Sequence, residues 1–204
     1  MEAKAHNPYK WKVPLHSWGK AFNSSIIPSQ NSILMGYSMG ARLAIHALLD
    51  DPKRWKAAIL IGANLGLTTL KEKICRLQND KLWSRKFSTM SWKVLIEDWN
   101  NQSIFKNSTC LKRREEEFNR EDLCFSLCYW SLGSQKNFKG ELEQLNLPIF
   151  WIFGEHDKNS SKDIPKMKHS LSKKWIAQDA GHRVPWDVPN DFINNVNDFI
   201  KRVL

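Results

Sequence analysis

The sequence predicts an α/β fold, with a parallel sheet, helices on both faces and a helical lid inserted between two strands. Short apolar runs at 33–35, 57–62 and 148–153 are typical of buried strands. Segments with apolar residues at helical spacing separate these runs, and strands that alternate with helices indicate a parallel sheet. A length of 204 residues with 42% apolar residues suits one globular domain, which we assign to 1–204.

The elements before residue 63 follow one another as helix, strand, helix and strand. Apolar side chains at helical spacing predict the two helices, over 16–27 and 39–49. A turn at 28–31 separates the first helix from the first strand.

Residues 67–132 are polar, rich in Trp, Arg and Glu, and helical in pattern throughout. We therefore expect them to form a helical lid over one end of the sheet. After the strand at 148–153 the pattern predicts a helix near 164–171, a weak strand at 174–177 and an amphipathic helix at 191–203.

The pentapeptide Gly36-Tyr37-Ser38-Met39-Gly40 lies between a predicted strand and a predicted helix, which is the context of a nucleophile elbow. In such a tight turn, Cβ atoms on the flanking residues would clash, and the strained backbone projects the serine hydroxyl above the sheet. The helix that follows points its N–H groups at developing negative charge. Ser38 is thus the candidate nucleophile or base.

A reactive serine needs a histidine as its base, and the histidine needs an orienting acid. Asp157 follows an apolar strand and His182 follows the last predicted strand, at the strand ends where parallel sheets place their sites. Glu155 is a neighbouring alternative to Asp157, and a structural role is the alternative for either residue. We assign Ser38, Asp157 and His182 as the catalytic triad.

Composition and charge argue against several other classes of protein. The net charge of +10 is spread along the chain without a nucleic-acid recognition motif, so a Lys-rich surface explains it better than nucleic-acid binding. No apolar run approaches the ~20 residues of a membrane-spanning helix, and the first residues lack the apolar core of a secretory signal. A cytoplasmic location is the default expectation. No metal or organic cofactor is implied, and the oligomeric state is left undetermined.

Several segments together resemble one enzyme family. They are Gly36–Ala44, Asn64–Leu67, Arg76–Asp80, Glu97–Phe105 and Gly181–His182. The elbow and triad are typical of the whole α/β-hydrolase superfamily. The arginine four residues after Ser38 and the Asp-Trp-x-x-Gln-x-x-Phe segment are more specific. They resemble 2-succinyl-6-hydroxy-2,4-cyclohexadiene-1-carboxylate synthase, a lyase of menaquinone biosynthesis.

The resemblance implies a small polycarboxylate substrate, 2-succinyl-5-enolpyruvyl-6-hydroxy-3-cyclohexene-1-carboxylate, from which pyruvate is eliminated. Ser38 would then act as a general base, without an acyl-enzyme. The matching register leaves Arg113 and Arg114 both open as one substrate arginine, of which we assign Arg114. The implied substrate-binding residues are Tyr37, Met39, Arg42, Arg76, Trp99 and Arg114.

The chain departs from the family before the elbow. Members place several strands there, with a His-Gly loop that supplies an oxyanion amide, whereas 37 residues precede Ser38 here and predict only one helix. We therefore expect an α/β-hydrolase fold that lacks its N-terminal strands, with an exposed apolar edge strand and Met39 N–H as the obvious oxyanion donor. A start site placed too far downstream, a degenerate gene or a second chain would each account for this. A serine ester or thioester hydrolase and an inactive truncated remnant are the alternative functions.

Overall fold

Four parallel strands form one sheet in the computed structural model, which describes residues 3–27, 31–158 and 164–204. Their spatial order follows the chain. They are β1 (Ile33–Tyr37), β2 (Ala57–Ile61), β3 (Ile149–Gly154) and β4 (Ser172–Ala177). Every residue of β2 and β3 is buried, because both strands are continuous apolar runs covered on both faces.

Helices cover both faces of the sheet, and alternate strand residues point to each face. On one face, α1 (Leu15–Ser25) and α2 (Met39–Asp50) pack against one another and against side chains such as Leu60 and Trp151. On the other face, α8 (Pro189–Val203) packs Val196 and Phe199 against the intervening strand residues. The predicted α/β fold with a parallel sheet and helices on both faces is confirmed.

The region predicted as a lid contains three α-helices between β2 and β3. They are α3 (Leu70–Thr89), α4 (Trp92–Asn100) and α5 (Arg120–Tyr129). Trp83, Phe87 and Leu95 form a small apolar core of their own between these helices. The prediction of helix throughout is wrong for 106–114, which has no helix and runs back towards the loop after β4.

In its described part, the last third of the chain holds three further α-helices besides the sheet strands. They are α6 (Lys139–Glu143), α7 (Val184–Asp187) and the long α8. The helix predicted near 164–171 is wrong: only one 3-10 turn is present, at Ile164–Lys166. Two backbone carbonyls of this segment accept hydrogen bonds from a side chain instead of from a helix, since Lys174 Nζ donates to Pro165 O and Met167 O. No helix in the described ranges is both long enough and apolar enough to cross a bilayer.

One edge strand of the sheet is β1, which pairs with β2 and with no other strand of the described chain. The side chain of Met35 in this strand is 47% exposed. This agrees with the expected apolar edge. The predicted turn at 28–31 lies mostly outside the described residues.

Candidate active site

Ser38 lies in a sharp turn between β1 and α2. Its backbone has φ +52° and ψ −114°, a strained conformation for a residue other than glycine. A Cβ on Gly36 would clash with the backbone of Gly40 and Ala41, so glycine is required there. The same requirement predicted for Gly40 is wrong, because a Cβ at Gly40 meets no atom within 4 Å. The turn is a nucleophile elbow with one obligatory glycine.

The structure brings Ser38, His182 and Asp157 together in one hydrogen-bonded row. His182 Nε2 lies 2.8 Å from Ser38 Oγ, and His182 Nδ1 lies 2.7 Å from Asp157 Oδ2. Asp157 and His182 are each 2% exposed. With the Nδ1 proton donated to Asp157, Nε2 is free to accept the serine proton. Glu155, the alternative acid, is exposed and accepts a hydrogen bond from Asp179 N instead.

Two aromatic rings flank the imidazole of His182. Tyr37 lies with its ring centroid 5.4 Å from that of His182, and Phe105 of the lid lies 6.0 Å away. Burial raises the pKa of the Tyr37 hydroxyl, which stays protonated. Tyr37 packs beside the histidine and does not line the cavity described next.

A cavity of 470 Å³ opens directly above Ser38, between the elbow and the lid. Its walls combine aromatic rings with a few charged groups. Met39 and Trp99, both predicted from sequence, are among the lining residues. Trp99 stacks edge-on against Trp83 and Phe87, so it belongs both to the cavity wall and to the core of the lid.

Arg42 lies in the cavity wall one turn into α2. It is 7% exposed and donates to Gln135 Oε1 at 3.1 Å and to Trp130 O at 3.0 Å. Burial, reinforced by the nearby charge of Arg76, lowers the pKa of its guanidinium to about 10. Both acceptors are neutral, so Arg42 keeps its positive charge uncompensated by these contacts.

Arg76 reaches the same cavity from α3. Its Nε donates to both carboxylate oxygens of Asp80 at 2.9 Å, and Ser131 Oγ donates to Asp80 Oδ2 at 2.7 Å. Because only Nε serves this contact, the two terminal nitrogens of Arg76 remain available to a ligand.

The arginine pair in the lid corrects the sequence assignment. Arg114, the residue assigned from sequence, is 72% exposed and pairs with Glu117 at 2.9 Å, outside the cavity. Arg113 lines the cavity and donates to Asn100 Oδ1 at 3.3 Å. The two residues are adjacent in an extended segment, where successive side chains point in opposite directions. A shift of one residue in the matching register therefore selects the arginine that points away from the cavity.

Other lining residues were not assigned from sequence. They include Tyr9, Asn64, Asp80, Trp83, Trp92, Gln102, Phe105 and Ser131. Gln102 and Phe105 lie in the segment that resembles the synthase family, which was a usable signal. Tyr9 stacks on Trp130 with centroids 5.5 Å apart, a contact over a long sequence distance that no local pattern indicates.

The charge of the cavity is positive. Among the described residues that line it, Arg42, Arg76 and Arg113 oppose a single carboxylate, Asp80, which leaves an excess of two positive charges apart from His182. In the described ranges, no three His, Cys, Asp or Glu side chains converge as metal ligands would. The arrangement offers a base at Ser38–His182 beside a basic, aromatic binding space.

Comparisons with known proteins show the family to which the chain belongs. The family model described as serine aminopeptidase, S33, matches residues 20–174. The 2-succinyl-6-hydroxy-2,4-cyclohexadiene-1-carboxylate synthase of Serratia proteamaculans is 30% identical over 173 residues, covering 82% of this chain and 67% of that protein. The synthase of Photorhabdus laumondii is 31% identical over 131 residues, covering 61% of this chain and 47% of that protein.

The coverage is partial, since a Haemophilus influenzae relative is matched over 53% of its own length. The chain thus spans about half the length of this relative and of the Photorhabdus synthase. Among solved structures, MenH from S. aureus superposes with a TM-score of 0.76 at 19% identity, covering 85% of this chain and 69% of that one. An esterase from Thermogutta terrifontis gives 0.69 at 15% identity, covering 94% and 73%. These two likenesses concern the fold alone.

Proposed function

Since this chain belongs to the α/β-hydrolase family of enzymes, we propose that it is a carbon–oxygen lyase of menaquinone biosynthesis. The reaction eliminates pyruvate from 2-succinyl-5-enolpyruvyl-6-hydroxy-3-cyclohexene-1-carboxylate and leaves 2-succinyl-6-hydroxy-2,4-cyclohexadiene-1-carboxylate. The synthases of Serratia and Photorhabdus, named for this product, support the assignment.

The observation that carries the proposal is the excess of guanidinium groups in the cavity above Ser38. Arg42 comes from α2, Arg76 from α3 and Arg113 from the irregular segment 106–114, and among the described lining residues they meet one carboxylate, Asp80. A substrate with several carboxylates would neutralise such a cavity, and the planar guanidinium binds carboxylate in two places at once. A neutral ester would leave the charges unpaired.

The chemistry follows from the hydrogen bonds of the triad. Asp157 holds the Nδ1 proton of His182, so Nε2 accepts the proton of Ser38, and Ser38 Oγ takes a proton from the substrate ring. The electron pair of that C–H bond forms the new C=C bond, and the C–O bond to the enolpyruvyl group breaks. The leaving enolate takes up a proton and becomes pyruvate, so no acyl-enzyme forms.

Negative charge that develops during proton abstraction needs a donor. The backbone N–H of Met39, at the start of α2, lies next to Ser38 and adds the favourable field of the helix N-terminus. We assign this N–H as a stabilising donor.

Pyruvate release by the purified chain with this precursor tests the proposal, with Ser38→Ala as control. We expect release that falls about 10³-fold in Ser38→Ala. Arg42→Ala should strongly reduce pyruvate release by raising KM, whereas Arg114→Ala should leave both the release and KM unchanged. A folded protein that releases no pyruvate, or an Arg42→Ala variant with an unchanged rate, would contradict the lyase.

A serine ester hydrolase is the second candidate, and the elbow geometry together with the esterase-like fold favours it. Ser38 would then attack a carbonyl and form an acyl-enzyme. Covalent labelling of Ser38 by a fluorophosphonate, with turnover of simple aryl esters and no pyruvate release, would support the hydrolase. The two readings therefore give opposite patterns in the same pair of assays.

A further inference from the structure

Two guanidinium groups meet at one neutral oxygen beside the cavity. Arg183 Nη2 donates to Asn100 Oδ1 at 2.7 Å, and Arg113 Nη1 donates to the same oxygen at 3.3 Å. In the described part of the chain, neither guanidinium forms an ion pair with a carboxylate. Two like charges that share one amide oxygen repel each other unless an anion joins them.

Arg183 is the more deeply buried of the pair. It is 1% exposed, its guanidinium carbon lies 4.0 Å from the ring centroid of Phe105, and Nη1 donates to Thr109 O at 2.6 Å. Its Nε is buried and has no hydrogen-bond partner among the residues that the structure describes. A cation buried among neutral acceptors is costly, so a role beyond packing is indicated.

The position of Arg183 links the lid to the catalytic histidine. It follows His182 directly in the chain, and its own backbone N–H donates to Ser108 Oγ of the lid. Arg113, by contrast, faces the cavity. Asn100 is therefore a bridge between a cation behind the wall and a cation in the wall.

We propose that Arg183 is a positioning residue that acts through Asn100. It orients the guanidinium of Arg113 and adds a second positive charge, so that the pair forms a preorganised subsite for one carboxylate of the ligand. The proposal rests on the anionic substrate of the proposed function. It adds a residue that follows the catalytic histidine to the determinants of substrate charge.

Calorimetric titration with citrate at fixed ionic strength tests this subsite without relying on catalysis. Arg183→Met should raise the citrate Kd about tenfold. Arg85→Met, on the exposed face of the same lid, makes the same change of charge and should alter Kd less than twofold.

Asn100→Asp provides a second, nearly isosteric variant in case Arg183→Met fails to fold. The new carboxylate would pair with both guanidinium groups and cancel one of their two positive charges, so citrate binding should weaken while Tm is kept or raised. A merely structural role would make affinity and Tm change together.

The outcomes separate this inference from the proposed function. If the unsubstituted protein binds citrate and both folded variants bind it equally well, the role of Arg183 is refuted, whereas the positively charged cavity and its anionic ligand stand. If the unsubstituted protein binds no citrate, the anionic substrate of the proposed function is contradicted as well.

Discussion

Gly62 lies directly against the imidazole of His182. A Cβ on Gly62 would stand 2.8 Å from His182 Cε1 and 3.1 Å from Nδ1, and the backbone of Gly62 has φ +57°. Gly62 follows β2, so the end of one strand lies directly under a proposed catalytic residue, His182, which follows another strand. Both the contact and the backbone conformation require glycine here.

Gly62→Ala should therefore move the ring of His182 away from Ser38 while the fold is retained. A misplacement of about 1 Å at a reacting group lowers rates by ~10²-fold, and we expect that loss in kcat for pyruvate release. Gly140→Ala is the matched control, because its Cβ meets no atom within 4 Å. Equal rates in the two variants would show that His182 does not need this contact.

Asp157→Asn tests the proposal that Asp157 is the acid of the triad. The amide would hold His182 in the wrong tautomer, with Nε2 protonated and unable to accept the proton of Ser38, and kcat should fall at least ~10³-fold. Glu155→Gln changes a carboxylate two residues away that is exposed and outside the hydrogen-bonded row. It should keep full activity; the reverse result would assign the acid to Glu155.

The fold was predictable from sequence where burial imposes a pattern. The short, continuous apolar runs of β2 and β3 are typical of central strands. In the long α8, the helical spacing of residues such as Val196 and Phe199 indicates which face is buried. The segment 106–114 was not predictable, because its conformation depends on distant partners. Thr109 N, for example, donates to Asp187 Oδ1 at 2.6 Å, a contact across 78 positions.

The site was predictable to the extent that it is local. The glycines on either side of Ser38 and the change from strand to helix around it indicate this residue. The predicted strands that precede Asp157 and His182 indicate the other two. Arg113 and Arg114 could not be separated, since both lie in an irregular segment and only tertiary packing decides which faces inward. Arg183 carried no sequence signal, because its partners Asn100 and Thr109 lie in the lid.

Asp80→Asn should weaken substrate binding at Arg76. The amide keeps an acceptor for Ser131 but loses the charge that holds Arg76 Nε, so Arg76 becomes mobile and KM should rise about tenfold. Since the side chain of Arg76 is 37% exposed, water moderates the effect on the free energy of unfolding, which should fall by about 1–2 kcal/mol.

Asp98→Asn is the matched control for Asp80→Asn. The Lys86–Asp98 pair lies in the same lid with both side chains 42% exposed, so its loss should change the free energy of unfolding by less than ~0.5 kcal/mol and leave KM unaltered. Chemical denaturation and steady-state kinetics measure the two effects. If both variants behave alike, Asp80 does not orient Arg76.

His46 should make the stability of the protein depend on pH. It lies one turn beyond Arg42 in α2, and its buried Nε2 has no hydrogen-bond partner within the described ranges. Burial, with a smaller contribution from the charge of Arg42, lowers the pKa of the imidazole from 6.5 to about 4. As the pH falls, His46 therefore takes up a proton near pH 6.5 in the unfolded chain but only near pH 4 in the folded chain. The free energy of unfolding should fall by about 3 kcal/mol as pH decreases over that interval.

His46→Leu removes this titration and should flatten the pH dependence by that amount, as measured by urea unfolding at intervals between pH 7 and pH 4. His16→Gln, at an exposed histidine of α1, removes only the smallest of the three contributions that lower the pKa of His46 and is expected to keep most of the slope. An unchanged slope in His46→Leu would mean that His46 takes up its proton in the folded state as easily as in the unfolded chain. In that case a buried imidazole without a hydrogen-bond partner would not be what limits acid stability.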